Sequence, residues 1–411
     1  MRVLSLAPTS FFNDYGCHVR IFEEARALQA AGHQVTILTY YKGNDVPGVE
    51  IVRTAPTPWR SNYEVGSSRH KFAFDVLLAL KLWRELSRRR YDVIHGHLHE
   101  GALIGSVIGW LFGVPTAFDF QGSLTDEMLQ HGFLRGSGPA YHFFFRLERV
   151  INRLPRLIFT STRHAAQTLH KETRGRAIVQ YLPDGVNHAA FRPDVLKLEE
   201  RAALRERYGI APGEFVVVFL GLLARHQGIQ QIIEAAAWAK SAGHAVRWLV
   251  MGYPGVPNWQ AVAHRAGVGQ EVIFTGRVPY FDAPRMLALG DVAVAPKLSL
   301  SEGSGKILNY MAMGLPTVAF DTVAQREYLG SLGIYVPLGD SQGLGARVIE
   351  LLNQPQRRRQ LGEQLRQVAV RQFGWDRAAQ VMIDGYHKLL ARALPADAHT
   401  AVQPHQRRDR S

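Results

Sequence analysis

Two rhythms of apolar and polar positions run through the chain. Short, mostly apolar runs fall at residues 3–7, 35–38, 92–95, 115–120, 157–161 and 178–182. More follow at 215–221, 246–252, 272–278, 291–296, 317–321 and 334–337. Their length and near-continuous hydrophobicity predict strands buried on both faces. Between them lie longer stretches with apolar residues three or four apart. Val19, Phe22, Ala25, Leu28 and Ala31 form the clearest of these, closed by Gly32-His33, and predict an amphipathic helix.

Strands alternating with helices predict an α/β protein whose parallel sheets are covered on both sides. The polar loop 9–18 ahead of the first helix contains Gly16, which suits a doubly wound domain, where ligands gather at the carboxyl ends of strands. No GxGxxG occurs, so a dinucleotide is not indicated. Further helices are predicted over the charged run 196–208, from near Leu344, and from Phe373-Gly374-Trp375-Asp376 to about Leu390. The longest apolar run, 102–114, is interrupted by Gly105, Ser106 and Gly109. It falls short of the roughly 20 residues that span a bilayer, and it predicts a buried helix.

At 411 residues the chain has length for two cores. With 46% hydrophobic and 20% charged residues it belongs with globular rather than disordered chains. Its single cysteine, Cys17, excludes a disulfide framework and points to a reducing compartment. The first strand begins almost at Met1 and is too short for a signal-peptide core. The formal net charge of +13 calls for an anionic partner. No named nucleic-acid-binding motif is present, so a phosphorylated small molecule or an anionic membrane surface accounts for the charge more directly. Part of it lies in the tail after Leu394, PADAHTAVQPHQRRDRS, whose polar composition predicts disorder.

The stretch 302–316, EGSGKILNYMAMGLP, concentrates the chemistry. Gly303 and Gly305 flank Ser304 and let the backbone approach a ligand. Lys306 brings a cation to the first turn of a helix whose Ile307, Leu308, Tyr310 and Met311 can bury one face. A helix start with an adjacent cation is a ready phosphate site. Glycine–lysine pairs also occur in ordinary turns, and the residues alone leave both readings open. His95, His97 and His99 alternate and invite a metal. Three histidines without a closed ligand set more simply end a strand and fill the loop before the 102–114 helix. Asp184-Gly185 reads as a turn.

The 302–316 stretch resembles the donor site of the family 4 (group 1) retaining glycosyltransferases, which have the GT-B fold. Glu302 matches the first acid of that pattern, and Met311-Ala312-Met313-Gly314-Leu315-Pro316 matches its exit. Asn309 stands where the family has a second acid, with one residue fewer after Gly305. Pro183-Asp184-Gly185-Val186-Asn187, followed by Phe191-Arg192-Pro193, resembles another family element at the seam between domains. Gly221 and residues 222–228 resemble the loop that grips the donor pyrophosphate, with Leu222 and Gln227 in place of its arginine and lysine. Arg225 in that loop either substitutes for them or is a solvated charge. Gln121 replaces a histidine that faces the reacting sugar, and it can orient a hydroxyl but not act as a conventional base.

The resemblance implies two Rossmann-like, doubly wound domains facing a central cleft. Residues 1–190 would bind the acceptor and 191–373 the donor. A helix over 374–392, anchored by Trp375, would cross back to the first domain, leaving a disordered tail at 393–411. The implied reaction moves a sugar from a nucleotide-sugar donor to a hydroxyl with retention, without metal or cofactor. Polysaccharide, lipopolysaccharide or glycolipid assembly is the implied setting. With the charge, this points to a cytoplasmic protein that touches the inner face of an anionic membrane and binds no nucleic acid. Lys306 would stabilise the leaving diphosphate, Glu302 hold sugar hydroxyls and Asn309 the ribose. Gly221, Arg225, Ser304 and Gly305 would complete the donor site. Val278 and Arg277 would lie at the nucleobase, where Arg277 stacks or faces solvent. Gly16, Cys17 and His18, with Gln121, would shape the acceptor side. The departures at Leu222, Gln227 and Asn309 keep an alternative open, a degenerate GT-B protein that binds a glycan or partner without transfer. A phosphorylase or epimerase on the same fold lacks its own signature residues.

Overall fold

A computed structural model of the protein describes residues 1–56, 71–130, 133, 134, 136, 138–298 and 304–393. The predicted tail falls almost wholly outside these residues, as do Glu302 and Gly303. Seven strands form the first sheet: β1 (Arg2–Ala7), β2 (Gln34–Thr39), β3 (Glu50–Arg53), β4 (Val93–His97), β5 (Thr116–Phe120), β6 (Leu157–Thr160) and β7 (Ile178–Tyr181). Their order is β3-β2-β1-β4-β5-β6-β7, all parallel. Six strands form the second: β8 (Phe215–Leu220), β9 (Val246–Met251), β10 (Val272–Gly276), β11 (Val292–Ala295), β12 (Thr317–Phe320) and β13 (Ile334–Val336). They run β10-β9-β8-β11-β12-β13, again all parallel. The chain therefore reverses its winding between β1 and β4 in one sheet and between β8 and β11 in the other. Crevices at the carboxyl ends of strands open at such points.

Alternate residues of β1 face two different cores, as strand geometry requires. Val3 and Ala7 pack with Ile21, Phe22 and Leu28 of the Gly16–Ala30 helix and with Met382, Tyr386 and Leu389 of the Trp375–Ala393 helix. Leu4 and Leu6 meet Phe74, Leu78 and Leu82 of the Lys71–Leu86 helix and Ile108 of the Leu98–Phe112 helix. The last helix among the described residues thus covers the first sheet. Its crossing point is fixed by Val186 N–H donating to Phe373 O at 2.7 Å and by a bridge from Val186 to Gly374. A β-carbon on Gly185 would lie 2.5 Å from the Trp375 ring. Gly185→Ala is expected to destabilise the fold by about 1–3 kcal/mol through overpacking, read as a lower melting temperature.

Two expectations fail near β4. The apolar run read as a buried helix at 102–114 is the Leu98–Phe112 helix, and it exposes Val107, Trp110 and Leu111. Gly101, Gly105 and Gly109 form its sheet-facing stripe, where a β-carbon on Gly105 would already press on Ile94 and Thr116 at 3.1 Å. The small residues seat the helix closely, and the larger apolar ones turn outward. His97 and His99 do not lie in a loop: His97 ends β4, and His99 is in the first turn of that helix.

Candidate active site

The carboxyl ends of the two sheets meet at a cavity of about 440 Å³, a volume typical of small-molecule sites. On the second domain's side, β8 ends against Gly221, whose φ of +153° and close surroundings favour glycine. A β-carbon there would lie 2.6 Å from Lys306 Nζ. Lys306 opens the Lys306–Ala312 helix that follows β11. Its ammonium donates to Gln227 Oε1 at 2.8 Å and lies 4.1 Å from the centre of the Phe219 ring. Gln227 therefore orients this cation instead of adding a second one. Ser304 is buried beside it, and its hydroxyl has no partner among the described residues. Gly305, Asn309 and Val278 also line the cavity. The helix has only seven residues, so its terminus offers a weaker field than a long helix would, and Lys306 is the formal charge at this end.

Two predicted donor residues stand elsewhere. Arg225 is exposed at the start of a short 3₁₀ turn and is not among the cavity-lining residues. Nor is Arg277, which reaches across to the first domain: its Nη2 and Nε donate to Asp14 Oδ2 at 2.6 and 2.9 Å. The carboxylate of Asp14 also accepts from the Tyr280 N–H at 2.7 Å, so this pairing tethers the two domains.

On the first domain's side, the Gly16–Ala30 helix begins at the cavity, and its N-cap residue Tyr15 supplies no side-chain cap. Its first-turn N–H groups are therefore available to an anion or a hydroxyl oxygen. Burial pushes the Cys17 thiol up to about 12, with Asp119 adding to the effect, so the thiol stays protonated. The His18 ring is occupied within its own loop. Its Nε2 lies 2.5 Å from Thr9 Oγ1, and its Nδ1 lies 2.8 Å from both the N and the O of Asn13.

Burial lowers the His18 pKa to about 4, only partly opposed by Asn13 and Asp14. As pH falls, the unfolded chain takes up this proton near the ordinary 6.5 while the folded state resists it until about 4. The stabilisation is therefore complete above pH 6.5 and is lost between 6.5 and 4. His18→Gln is expected to shrink the stability difference between pH 7 and pH 4.5 by about 2–3 kcal/mol, measured by urea unfolding at both values.

Gln121 is held by its neighbour two residues back: Nε2 donates to Asp119 Oδ2 at 2.8 Å, which leaves its amide oxygen to the cavity. Asp119 also accepts from Arg20 Nε and Nη2 at 2.9 and 2.8 Å and lies 3.2 Å from His97 Nδ1. Burial alone would raise the Asp119 pKa, but Arg20 and His97 outweigh it and hold the carboxylate well below its usual range. Arg20 Nη1 continues to Asp184 Oδ1 at 2.9 Å, and Tyr328 OH of the second domain donates to Asp184 Oδ2 at 3.1 Å. The turn residue Asp184 is thus a charged link between domains that also lines the cavity.

Sequence reasoning missed this network, although Asp119 inside an apolar run was its signal, since a buried charge requires a partner. It also missed the Lys71–Glu100 ion pair of 2.6 Å, whose members both line the first domain's side of the cavity. Among the described residues, Glu24, His95, His97 and Asp119 bring metal-ligating atoms within 4.8 Å of one another. Arg20 already supplies the positive charge there, 3.0 Å from Glu24 as well as bonded to Asp119. The donor set therefore reads as a buried salt-bridge cluster.

Family models match both halves of the chain. The one described as Glycosyl transferase 4-like domain covers residues 15–185, and the one described as Glycosyl transferases group 1 covers residues 214–354. The chain belongs to the group 1 glycosyltransferases.

This glycosyltransferase is 26% identical over 402 residues to the D-inositol 3-phosphate glycosyltransferase of Pseudarthrobacter chlorophenolicus, covering 92% of this chain and 91% of the relative. EpsD of Bacillus subtilis is 32% identical over 206 residues, about half of each protein. A GDP-mannose-dependent alpha-(1-6)-phosphatidylinositol monomannoside mannosyltransferase of Mycolicibacterium smegmatis is 30% identical over 208 residues, 48% of this chain and 53% of the relative. Among solved structures, sucrose-phosphate synthase from Thermosynechococcus elongatus superposes with a TM-score of 0.80 at 17% identity, covering 95% of this chain and 99% of that one. Anabaena HepE in complex with UDP and glucose gives 0.75 at 15% identity, covering 94% and 100%. These likenesses establish the GT-B fold.

Proposed function

We propose that this glycosyltransferase moves a sugar from a nucleoside-diphosphate sugar to a hydroxyl of a lipid-linked saccharide, with retention at the anomeric carbon, in polysaccharide, lipopolysaccharide or glycolipid assembly. One observation carries the donor assignment. Lys306, oriented by Gln227 and pressed against Gly221, stands in the cavity with Ser304, whose hydroxyl has no partner among the described residues. A cation and a hydroxyl donor at a glycine turn fit a diphosphate. The complex of HepE with UDP and glucose, on the same fold, supports that choice of donor class. The acceptor class is supported by the mannosyltransferase relative, whose named acceptor is a phosphatidylinositol monomannoside.

In the proposed reaction the bond from the anomeric carbon to the diphosphate oxygen breaks as the bond to the acceptor oxygen forms on the same face. The acceptor proton passes to a phosphate oxygen of the departing nucleoside diphosphate, so no protein base is needed. Lys306 offsets the charge that develops on that diphosphate. Glu302 is assigned to the donor-sugar hydroxyls, Asn309 to the ribose and Val278 to the nucleobase. The oxygen of Gln121, fixed through Asp119, orients the acceptor hydroxyl. The test is a panel of nucleotide sugars with radiolabelled sugar and a bacterial lipid extract. Label should move to the organic phase from one donor, and nuclear magnetic resonance of the product should show the donor's anomeric configuration. An inverted linkage would exclude the same-face route, and no transfer from any donor would remove the acceptor class.

A further inference from the structure

The outer layer of the first domain carries apolar side chains that nothing in the described chain covers. Along the Lys71–Leu86 helix, Phe74, Leu78 and Leu82 face the sheet, while Phe72, Val76, Leu80 and Trp83 follow the opposite side at spacings of four, four and three. Phe72 is 76% exposed and Leu80 64%. The neighbouring Leu98–Phe112 helix adds Val107, Leu111 and Trp110, the last 79% exposed. Trp83 meets Phe112 edge-on with ring centres 5.0 Å apart, which joins the two helices into one ridge. Scattered exposed apolar residues are ordinary, but a contiguous aromatic and aliphatic ridge marks an interaction surface.

The charges around the ridge choose its partner. Every acid on these two helices is turned inward or paired: Asp75 accepts from Tyr40 OH, Glu85 is buried against Tyr91, and Glu100 pairs with Lys71. The exposed cations at its end are Arg84, Arg88, Arg89 and Arg90; Arg89 pairs with Glu50, and the other three are in no ion pair among the described residues. Tryptophan and aliphatic side chains with a cationic rim fit the boundary between headgroups and acyl chains of an anionic bilayer. A second copy of the chain would set arginines against arginines, which like-charge repulsion disfavours. No helix among the described residues is long and apolar enough to cross a membrane, so the fit is that of a surface contact.

We infer that the ridge formed by Phe72, Val76, Leu80, Trp83, Val107 and Trp110 seats on an anionic lipid bilayer. Lys71 and Glu100, in the first turns of the same two helices, line the first domain's side of the cavity. The ridge therefore leads to the cleft, and a lipid-linked acceptor reaches the site from the bilayer. That last consequence rests on the proposed acceptor class. The docking itself is read by lipid binding, so the two can fail separately.

The test is flotation of the full chain with vesicles of phosphatidylcholine alone and of phosphatidylcholine containing phosphatidylglycerol. The wild type is expected to float with the anionic vesicles. Leu80→Ser combined with Trp110→Ser should lower its partition about tenfold or more, with melting temperature unchanged because both side chains are exposed. Arg84→Glu combined with Arg88→Glu should abolish the preference for anionic over neutral vesicles. A wild type that stays with the soluble fraction would overturn the inference, as would a serine variant that floats equally well or a glutamate variant that keeps the preference. Self-association lost in the serine variant, without vesicle binding, would assign the ridge to a second copy instead.

Discussion

Lys306→Ala is expected to lower the rate of sugar transfer by roughly 10²–10³-fold, the range found when one preorganised donor to a developing oxyanion is removed. The size follows from where the cations of the second domain stand: Lys306 lies against the glycine turn, and Lys297 also lines the cavity. Where the family pattern has two more, this chain carries Leu222 and Gln227, and the structure turns Gln227 into a hydrogen-bond acceptor for Lys306 at 2.8 Å. Arg225 and Arg277 are not among the cavity-lining residues. In the proposed reaction the compensation for a leaving diphosphate therefore falls on Lys306, against the glycine turn, with Lys297 as the other lysine of the second domain at the cavity. Gln227→Lys provides a contrast: it restores a family cation but removes the acceptor that aims Lys306. Steady-state kinetics with the donor identified in the panel would show the loss of Lys306 mainly in kcat. A variant with unchanged turnover would remove Lys306 from the chemistry.

Arg20→Met is expected to destabilise the protein by about 3–5 kcal/mol, because it strands buried carboxylates without their counter-ion. Arg20 is 3% exposed and Asp119 fully buried, and the guanidinium reaches Asp119, Glu24 and Asp184 at once. For a domain of this size the loss corresponds to roughly 6–20 °C in melting temperature. Arg20→Lys should recover little, since a point charge cannot make the two parallel bonds to Asp119. Arg20→Met combined with Asp119→Asn should recover part of the stability by removing the most deeply buried orphan charge. It should not recover acceptor positioning, because Gln121 loses its charged anchor. Thermal melts of the four proteins check the order.

Every strand but β3 (Glu50–Arg53), an edge strand with no buried residue, was legible because parallel sheets bury both faces, so runs such as 215–220 are apolar almost throughout. The winding reversals between β1 and β4 and between β8 and β11 were not, since strand order depends on contacts far apart in sequence. The 302–316 stretch announced itself through local spacing, and ten of the predicted site residues line one cavity: Gly16, Cys17, His18, Gln121, Gly221, Val278, Ser304, Gly305, Lys306 and Asn309. Both readings of Arg277 stayed open in the sequence because a charge beside a ligand loop looks the same whether it faces a ligand or, as its side chain does here, a carboxylate 263 residues away. Arg20, Asp119 and Asp184 escaped for the same reason, being partners 99 and 164 residues apart. The Lys71–Leu86 helix was missed because Phe72, Phe74, Val76, Leu78 and Leu80 are apolar at every second position, which hides the helical period. Its second apolar side is the ridge assigned to lipid.

Calorimetric titration of the wild type and of Lys306→Ala with UDP, GDP, ADP and CMP addresses the donor site most directly. One nucleoside diphosphate should bind the wild type and lose at least about tenfold in affinity in the variant, the equivalent of a charge-assisted hydrogen bond of about 1.5 kcal/mol or more. Equal affinity for both proteins, or no binding of any nucleotide, would contradict a diphosphate held at Lys306.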